Sequence, residues 1–368
     1  MRIVLTGAGG GHFYPLIAVA ERLRKEAFVQ KIVQPEIFFI SNNPYDEKAL
    51  YTSQIKFVKN TAGKLRVYPS LQTVTDLFKT FWGCIGAIFK LYSLYPDVVF
   101  AKGGYASFPV LFAARFLSIP VVVHESDTVP GRTTKYAGKF ASRVALSYPE
   151  AAPFYPKEVI ALTGQPIRDE LLPPEKYVRT FDLTRRPTIL IAGGSQGSQA
   201  INEAVINILS ELLSKYDIVH QVGIQNVEEM KKVTDSVLQG HEFKEHYFIQ
   251  GFMDMSLFYG KVDMAICRAG SQMFEMALWQ LPMMVIPIPE SISRDQRTNA
   301  YAMAGRGVAF VLEENNVGPA ILLSGIRNIL EDKATYAKMS LAGTQFESSR
   351  HAATTIAREL IRICLSHK

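Results

Sequence analysis

Short runs of Val, Ile, Leu and Phe, bounded by Gly, Pro, Asn or Asp, recur along the chain with helical stretches between them. In the first half the pattern predicts strands at Ile3–Leu5, Ile37–Ile40, Val98–Phe100, Val121–Val123, Val144–Leu146 and Val159–Ala161. In the second half it predicts them at Thr188–Ile191, Ile218–Gln221, Tyr247–Ile249, Met264–Ile266, Met284–Ile286 and Ala309–Val311. A strand that is apolar throughout must be covered on both faces. Strands of this kind alternating with helices predict an α/β fold with parallel sheets.

Each half opens alike, with a strand, a Gly-rich turn and a helix: Thr6-Gly7-Ala8-Gly9-Gly10-Gly11-His12 in the first, Ala192-Gly193-Gly194-Ser195-Gln196-Gly197-Ser198 in the second. The stretch between them, residues 164–187, is polar and rich in Pro, as interdomain connections are. A chain of 368 residues has room for two domains at about 150 residues each. The expected division is residues 1–163, residues 164–340, and a terminal helix within 341–368 that packs back toward the first domain. Two Rossmann-like domains then face each other across a cleft, with both Gly loops at the carboxyl ends of strands, where open sheets bind ligands.

One helical stretch is amphipathic. From Val74 the apolar residues Leu77, Phe78, Phe81, Trp82, Ile85, Ile88, Phe89 and Tyr92 recur at helical spacing. Around them Lys56, Lys59, Lys64, Arg66, Lys79, Lys90 and Lys102 stand against Asp76 and Asp97. Such a stripe suits either the core of the first domain or an anionic membrane interface. Lys79 and Lys90 interrupt the apolar run from Leu77 to Tyr95, so it does not reach the uninterrupted length of about 18 that a spanning helix needs. No secretory signal is expected at the N-terminus, where few apolar residues precede the first Gly turn.

Composition narrows the classes further. Hydrophobic residues at 48% and charged residues at 20% exclude a disordered or collagen-like chain. Cys84, Cys267 and Cys364 are far apart, which argues against a disulfide scaffold or a cysteine zinc site. A net charge of +6 is too small for nucleic-acid binding on charge alone, yet favours anionic ligands.

A Gly-rich turn opening a helix lets backbone N–H groups approach a phosphate, and the helix end adds partial positive charge. Tight packing alone is the plainer explanation for one such turn, less so for two at matching places. A dinucleotide site is disfavoured at the first: His12 stands where a third Gly is wanted, and the second strand ends Ile40-Ser41-Asn42-Asn43 without a carboxylate. His12 falls in the first helical turn, where the helix dipole lowers its pKa and keeps it a neutral base. His124-Glu125 follows a strand, either as ligand contacts or with Glu125 paired to Arg132.

Taken together, Gly9-Gly10-Gly11-His12-Phe13-Tyr14-Pro15, Gly103-Gly104-Tyr105-Ala106-Ser107, His124-Glu125-Ser126-Asp127, Gly164-Gln165-Pro166-Ile167-Arg168 and Gly193-Gly194-Ser195-Gln196-Gly197 resemble the MurG family of bacterial glycosyltransferases. So do Arg268-Ala269-Gly270-Ser271 with Glu275, and Asp295-Gln296-Arg297-Thr298-Asn299-Ala300. The resemblance runs in unbroken order over about residues 1–310. It implies a GT-B fold and inverting transfer of N-acetylglucosamine from UDP-GlcNAc to undecaprenyl-diphosphate-MurNAc-pentapeptide, turning lipid I into lipid II. It implies no covalent sugar–enzyme intermediate, no cofactor, no metal, no nucleic acid, and a peripheral place on the cytoplasmic side of the anionic inner membrane.

Carried over by matching position, the resemblance implies a donor site in which Ser195, Gly194 and Gln196 hold the diphosphate. Glu275 would accept the ribose hydroxyls, Phe252-Met253 would meet the uracil through backbone, and Gln296 would read GlcNAc hydroxyls. Arg168, Asp127 and Ser271 complete the donor side. Gly9, Gly10, Gly11 and Tyr105 line the acceptor diphosphate side, with His12 as base and Glu125 as its catalytic companion. Two departures stand out. The family commonly has Asn where this chain has Asp127, and the Gly270–Glu275 segment is one residue shorter than usual. Readings that keep the fold but change the chemistry are a transferase with another lipid acceptor, a UDP-GlcNAc epimerase and a protein that only binds.

Overall fold

The apolar runs become strands, and every strand pairing among the described residues is parallel. The computed structural model describes residues 1–64, 71–182, 185–194, 196–290 and 296–366. It divides into two units, Met1–Asp169 with Ser348–Lys368, and Glu170–Glu347.

The first unit holds β1 (Arg2–Thr6), β2 (Glu36–Ser41), β3 (Ile55–Lys59), β4 (Val98–Ala101), β5 (Val121–Glu125), β6 (Arg143–Leu146) and β7 (Ile160–Leu162), ordered β3-β2-β1-β4-β5-β6-β7. Ile3 lies opposite both Ile37 and Val98, so β1 is central. Its side chains alternate between two covered faces. Ile3 and Leu5 join Phe13, Leu16 and Phe39 on one side, whereas Val4 joins Ile40, Val99 and Val110 on the other. The strand order reverses beside β1, between β2 and β4, which opens a crevice at the carboxyl ends of β1 and β4.

Sequence pattern misses β3. Its residues Ile55-Lys56-Phe57-Val58-Lys59 alternate because it is an edge strand, and edge lysines also discourage pairing with another sheet. The terminal helix Ser348–Ser366 lies on the first unit, its Ile356 and Leu360 buried in the same cluster as Phe13 and Leu16. Arg358 Nε donates to Glu26 Oε2 at 2.9 Å beside this seam. Residues 164–169 also stay with the first unit, rather than opening the second. The Gln165 N–H reaches Ser349 Oγ at 3.1 Å, and Arg22 pairs with Asp169 at 2.5 Å.

The second unit holds β8 (Thr188–Ala192), β9 (Asp217–Gln221), β10 (Tyr247–Gln250), β11 (Met264–Cys267), β12 (Met283–Val285) and β13 (Ala309–Val311), ordered β10-β9-β8-β11-β12-β13. Ile189, Ile191, Val205, Ile218, Ile266 and Met284 form its core. This unit repeats the logic of the first: β8 is central, and the order reverses beside it.

The amphipathic stretch forms the helix Leu71–Leu94. Its inward side is Cys84, Ala87 and Leu91, while the aromatic stripe faces outward, with Phe81 60%, Trp82 64% and Phe89 70% exposed. The adjoining helix Phe108–Phe116 exposes Phe116 on the same unit. Among the described residues no helix is long and apolar enough to cross a membrane. Arg66, counted with the basic surround, lies outside the described residues.

Candidate active site

In the first unit the carboxyl ends of β1, β4 and β5, with the turn after β7, converge on a buried polar cluster. Gly9, at φ 74°, precedes the helix Gly10–Val29, and its carbonyl accepts from the N–H groups of His12 and Phe13. His12 therefore sits in the first turn. Its Nδ1 lies 2.9 Å from the carbonyl oxygen of Lys102, just past β4. A carbonyl can only accept, so Nδ1 carries the proton and Nε2 keeps its lone pair. Burial, then the Lys102 charge, lowers the His12 pKa to about 4, with Asp127 pulling the other way. The ring is neutral at pH 7.

Lys102 is 1% exposed, and its ammonium donates to Gln165 Oε1 at 3.5 Å. Burial lowers its pKa to about 8, against the pull of Glu125 and Asp127. Gln165 Oε1 also accepts from Ser147 Oγ at 3.0 Å. His124, fully buried, donates from Nε2 to the Gly164 carbonyl at 3.0 Å, and burial holds its pKa well below the usual value. The Gly loops of β1 and β4 touch: a Cβ on Gly104 would lie 2.7 Å from that of Ala8, and Gly104 has φ 81°. Only glycine fits there. Tyr105 follows, partly exposed.

Glu125 is almost wholly engaged by its own loop. Oε1 accepts from the N–H groups of Ser126 at 2.8 Å and Asp127 at 3.0 Å. Oε2 accepts from Gly131 N–H at 3.2 Å, from the Thr134 hydroxyl, and from Tyr155 OH at 3.4 Å. Burial, then Asp127, pushes its pKa up to about 7, while those donors favour the ionised form. The expected pairing with Arg132 is absent among the described residues, because both oxygens are already satisfied by the turn. Arg168, on this same unit, stacks on Tyr14 with 4.8 Å to the ring centroid.

In the second unit the loop after β8 turns through Gly194, at φ 95°, whose carbonyl accepts from the Gly197 N–H at 3.0 Å. Gln196 is exposed, and Ser195 lies outside the described residues. Ser198 caps the helix Gln199–Ile206, and Arg268 Nη2 donates to its hydroxyl at 2.5 Å. Arg268 also donates to the Ile286 and Pro287 carbonyls and pairs with Glu314, so it clamps the loop from behind. Met253 is buried beside Phe252, which is half exposed. Glu275, on the helix Gln272–Leu278, accepts from Tyr259 OH at 2.6 Å, and Ser271 precedes that helix. Gln296 Oε1 accepts from the Ile288 N–H at 3.3 Å. Asp295 lies outside the described residues.

The structure thus brings together His12, Glu125, Asp127 and the Gly9 turn in one unit. It gathers Gly194, Gln196, Met253, Ser271, Glu275 and Gln296 at the carboxyl edge of the other. Lys102, counted from sequence with the basic surround of the aromatic stripe, is instead buried here. Gln165 and Gln221 stood in a motif and a strand without a role of their own, although each is at or just beyond the end of a parallel strand, where a polar residue is a signal in itself. Among the described residues no group of three His, Cys, Asp or Glu is placed to hold a metal ion.

Residues 3–146 match the glycosyltransferase family 28 N-terminal domain, and residues 188–355 match the glycosyltransferase family 28 C-terminal domain. A UDP-N-acetylglucosamine–N-acetylmuramyl-(pentapeptide) pyrophosphoryl-undecaprenol N-acetylglucosamine transferase of Bacillus cereus is 35% identical over 343 residues, 91% of this chain and 93% of its own. The crystal structure of Acinetobacter baumannii MurG superposes with a TM-score of 0.70 at 23% identity, covering 98% of this chain and 99% of that one. The UDP-GlcNAc 2-epimerase of Neisseria meningitidis, solved with UDP-GlcNAc bound, superposes at 0.67 with 13% identity, covering 98% and 100%. Both superpositions speak to the fold alone.

Proposed function

Because this chain belongs to glycosyltransferase family 28, we infer that it transfers N-acetylglucosamine from UDP-N-acetylglucosamine to undecaprenyl-diphosphate-linked N-acetylmuramyl pentapeptide, a step of peptidoglycan synthesis. In the reaction an acceptor hydroxyl oxygen attacks the anomeric carbon, the bond from that carbon to the UDP oxygen breaks, and the configuration inverts. The hydroxyl proton passes to a base, and UDP departs with the bonding pair.

The second unit takes the donor. The turn at Gly194–Gly197 offers backbone N–H groups and a helix end to the charge that develops on UDP, and one preorganised donor of this sort contributes roughly 3–4 kcal/mol. Glu275 receives the ribose hydroxyls, Met253 meets the base through its backbone, and Gln296 contacts the sugar. Ser195, Gln196 and Ser271 complete this side.

The first unit takes the acceptor, with Gly9, Gly10, Gly11 and Tyr105 on its diphosphate. His12 is the base, and the contact that carries this assignment is its Nδ1–H on the Lys102 carbonyl, which leaves Nε2 as the proton acceptor. A pKa of about 4 makes the free ring a weak base. An acceptor diphosphate beside it adds negative charge and raises that value toward the useful range. Glu125 then serves by holding the turn that presents Asp127, not by moving a proton. Arg168 and Asp127 keep the donor-side place that the resemblance implies.

The outward aromatic stripe of Leu71–Leu94, flanked by Lys79 and Lys90, gives the first unit a peripheral contact with the cytoplasmic face of the inner membrane. The deciding experiment supplies labelled UDP-GlcNAc with lipid I, with an unrelated polyprenyl-diphosphate sugar, and with no lipid. Label entering only the lipid I product is expected. Epimer formation without lipid, or transfer to the unrelated acceptor alone, would displace this function.

A further inference from the structure

We propose that Gln221 is a positioning residue that braces the diphosphate turn against the base-binding turn, so that the two halves of the nucleotide are recognised by one mechanically linked surface. Gln221 ends β9, the strand between β8 and β10, and is 3% exposed. Its Nε2 donates to the Gly194 carbonyl at 2.9 Å, and its Oε1 accepts from the Met253 N–H at 3.0 Å. The amide orientation follows from these partners, since a reversed amide would set donor against donor and acceptor against acceptor. One side chain therefore spans from the loop after β8 to the loop after β10, across the strand between them.

The rest of the neighbourhood leaves these turns little independent freedom. A Cβ on Gly197 would fall 1.9 Å from the Val222 carbonyl oxygen, and one on Gly223 would fall 2.2 Å from that of Gln196. The turn after β9 is thus pressed against the diphosphate turn. Asn202 Nδ2 and Asn226 Nδ2 both donate to the Val222 carbonyl, at 3.1 and 2.8 Å, which holds that contact from below. His220 Nε2 sits 3.1 Å from Asn202 Oδ1 and fixes the asparagine in turn.

The bond to Gly194 has an electrostatic consequence. A carbonyl turned toward a bound diphosphate would present its negative end to an anion. Gln221 joins the Gly197 N–H in drawing this one inward, and a carbonyl satisfied by two donors has no reason to turn back. The bond to Met253 sets the peptide through which the base would be read. The nearest replacements do not do both: Glu lacks the donor, Asn is a methylene short, and Met has neither group.

This inference rests on the donor reading of the second unit, and the test separates the two. Wild type, Q221E and Q221M are compared by calorimetry with uridine and with UDP. Backbone amide exchange is followed without ligand at Met253 and across residues 193–197. Q221E keeps an acceptor for the Met253 N–H. Its Met253 protection and uridine affinity are expected within about twofold of wild type, while the 193–197 amides exchange faster and the UDP-to-uridine affinity ratio falls at least tenfold. Q221M is expected to lose Met253 protection and at least tenfold in both affinities. Unchanged exchange in the ligand-free variants would overturn the brace, because a mere charge effect on UDP leaves exchange alone. Identical behaviour of Q221E and Q221M would overturn it too. If Q221M does not fold, Q221E decides alone by its ratio and its exchange. A wild-type protein that binds no UDP defeats the donor reading, and the exchange data still judge the brace.

Discussion

Replacing Lys102 with Met should move the acid limb of the transfer reaction upward. His12 is neutral because its pKa lies at about 4 instead of 6.5, a burden on the imidazolium of roughly 3 kcal/mol at about 1.4 kcal/mol per unit. Burial is the leading cause and survives the substitution; the Lys102 charge comes second and does not. Removing it should return the His12 pKa part of the way toward 6.5, with burial keeping it below that value. The sign is fixed by the chemistry. A general base works when deprotonated, so a higher pKa costs activity at low pH and little near pH 8. Methionine fills the buried volume without a charge. The assay is kcat/KM for the lipid acceptor from pH 4 to 8 at saturating UDP-GlcNAc, with UDP affinity measured alongside as a control on the second unit. An acid limb that stays in place, or moves down, would refute the electrostatic link between these residues.

His12→Ala should leave UDP affinity near wild type and slow transfer about 10²–10⁴-fold, as loss of a positioned base does; full activity by radiolabel transfer would remove the assignment. Asp127→Asn should shift the acid limb the opposite way from Lys102→Met, since Asp127 raises the His12 pKa; donor affinity by calorimetry should hold or improve, and a large loss would give the carboxylate a positive role. Charge reversal at Lys79 and Lys90 together should reduce cosedimentation with vesicles containing anionic lipid while transfer to a detergent-solubilised acceptor persists. Equal sedimentation would assign the aromatic stripe another partner.

Much of the architecture was legible because the sheets are parallel and covered on both sides. That forces strands such as Val121–Val123 and Met264–Ile266 to be apolar throughout and sets Gly turns after them. The edge strand Ile55–Lys59 was not legible, because a strand with one wet face alternates and resembles a loop. At the site, His12 announced itself by following three glycines. Lys102 did not, since lysine is ordinarily a surface residue, and nothing local says that the ends of β1, β4 and β5 and the turn after β7 will bury it. Glu125 was visible as a carboxylate at a strand end, but its engagement by Gly131, Thr134 and Tyr155 depends on a turn and a distant tyrosine brought in by folding. Gln221 looked like the polar end of a strand. Its two partners are 27 and 32 residues away in opposite directions along the chain.

The return of the last helix to the first sheet has a bearing on biosynthesis. Ile356 and Leu360 complete a cluster begun by Leu5 and Phe13, so a ribosome exports the opening sheet with one wall missing and supplies that wall only after residues 170–347 have been made. Until then the middle unit, an uninterrupted piece of chain, can mature on its own, while the earlier one waits with a greasy flank uncovered. Nascent chains stalled before residue 348 should therefore be the species that chaperones hold longest.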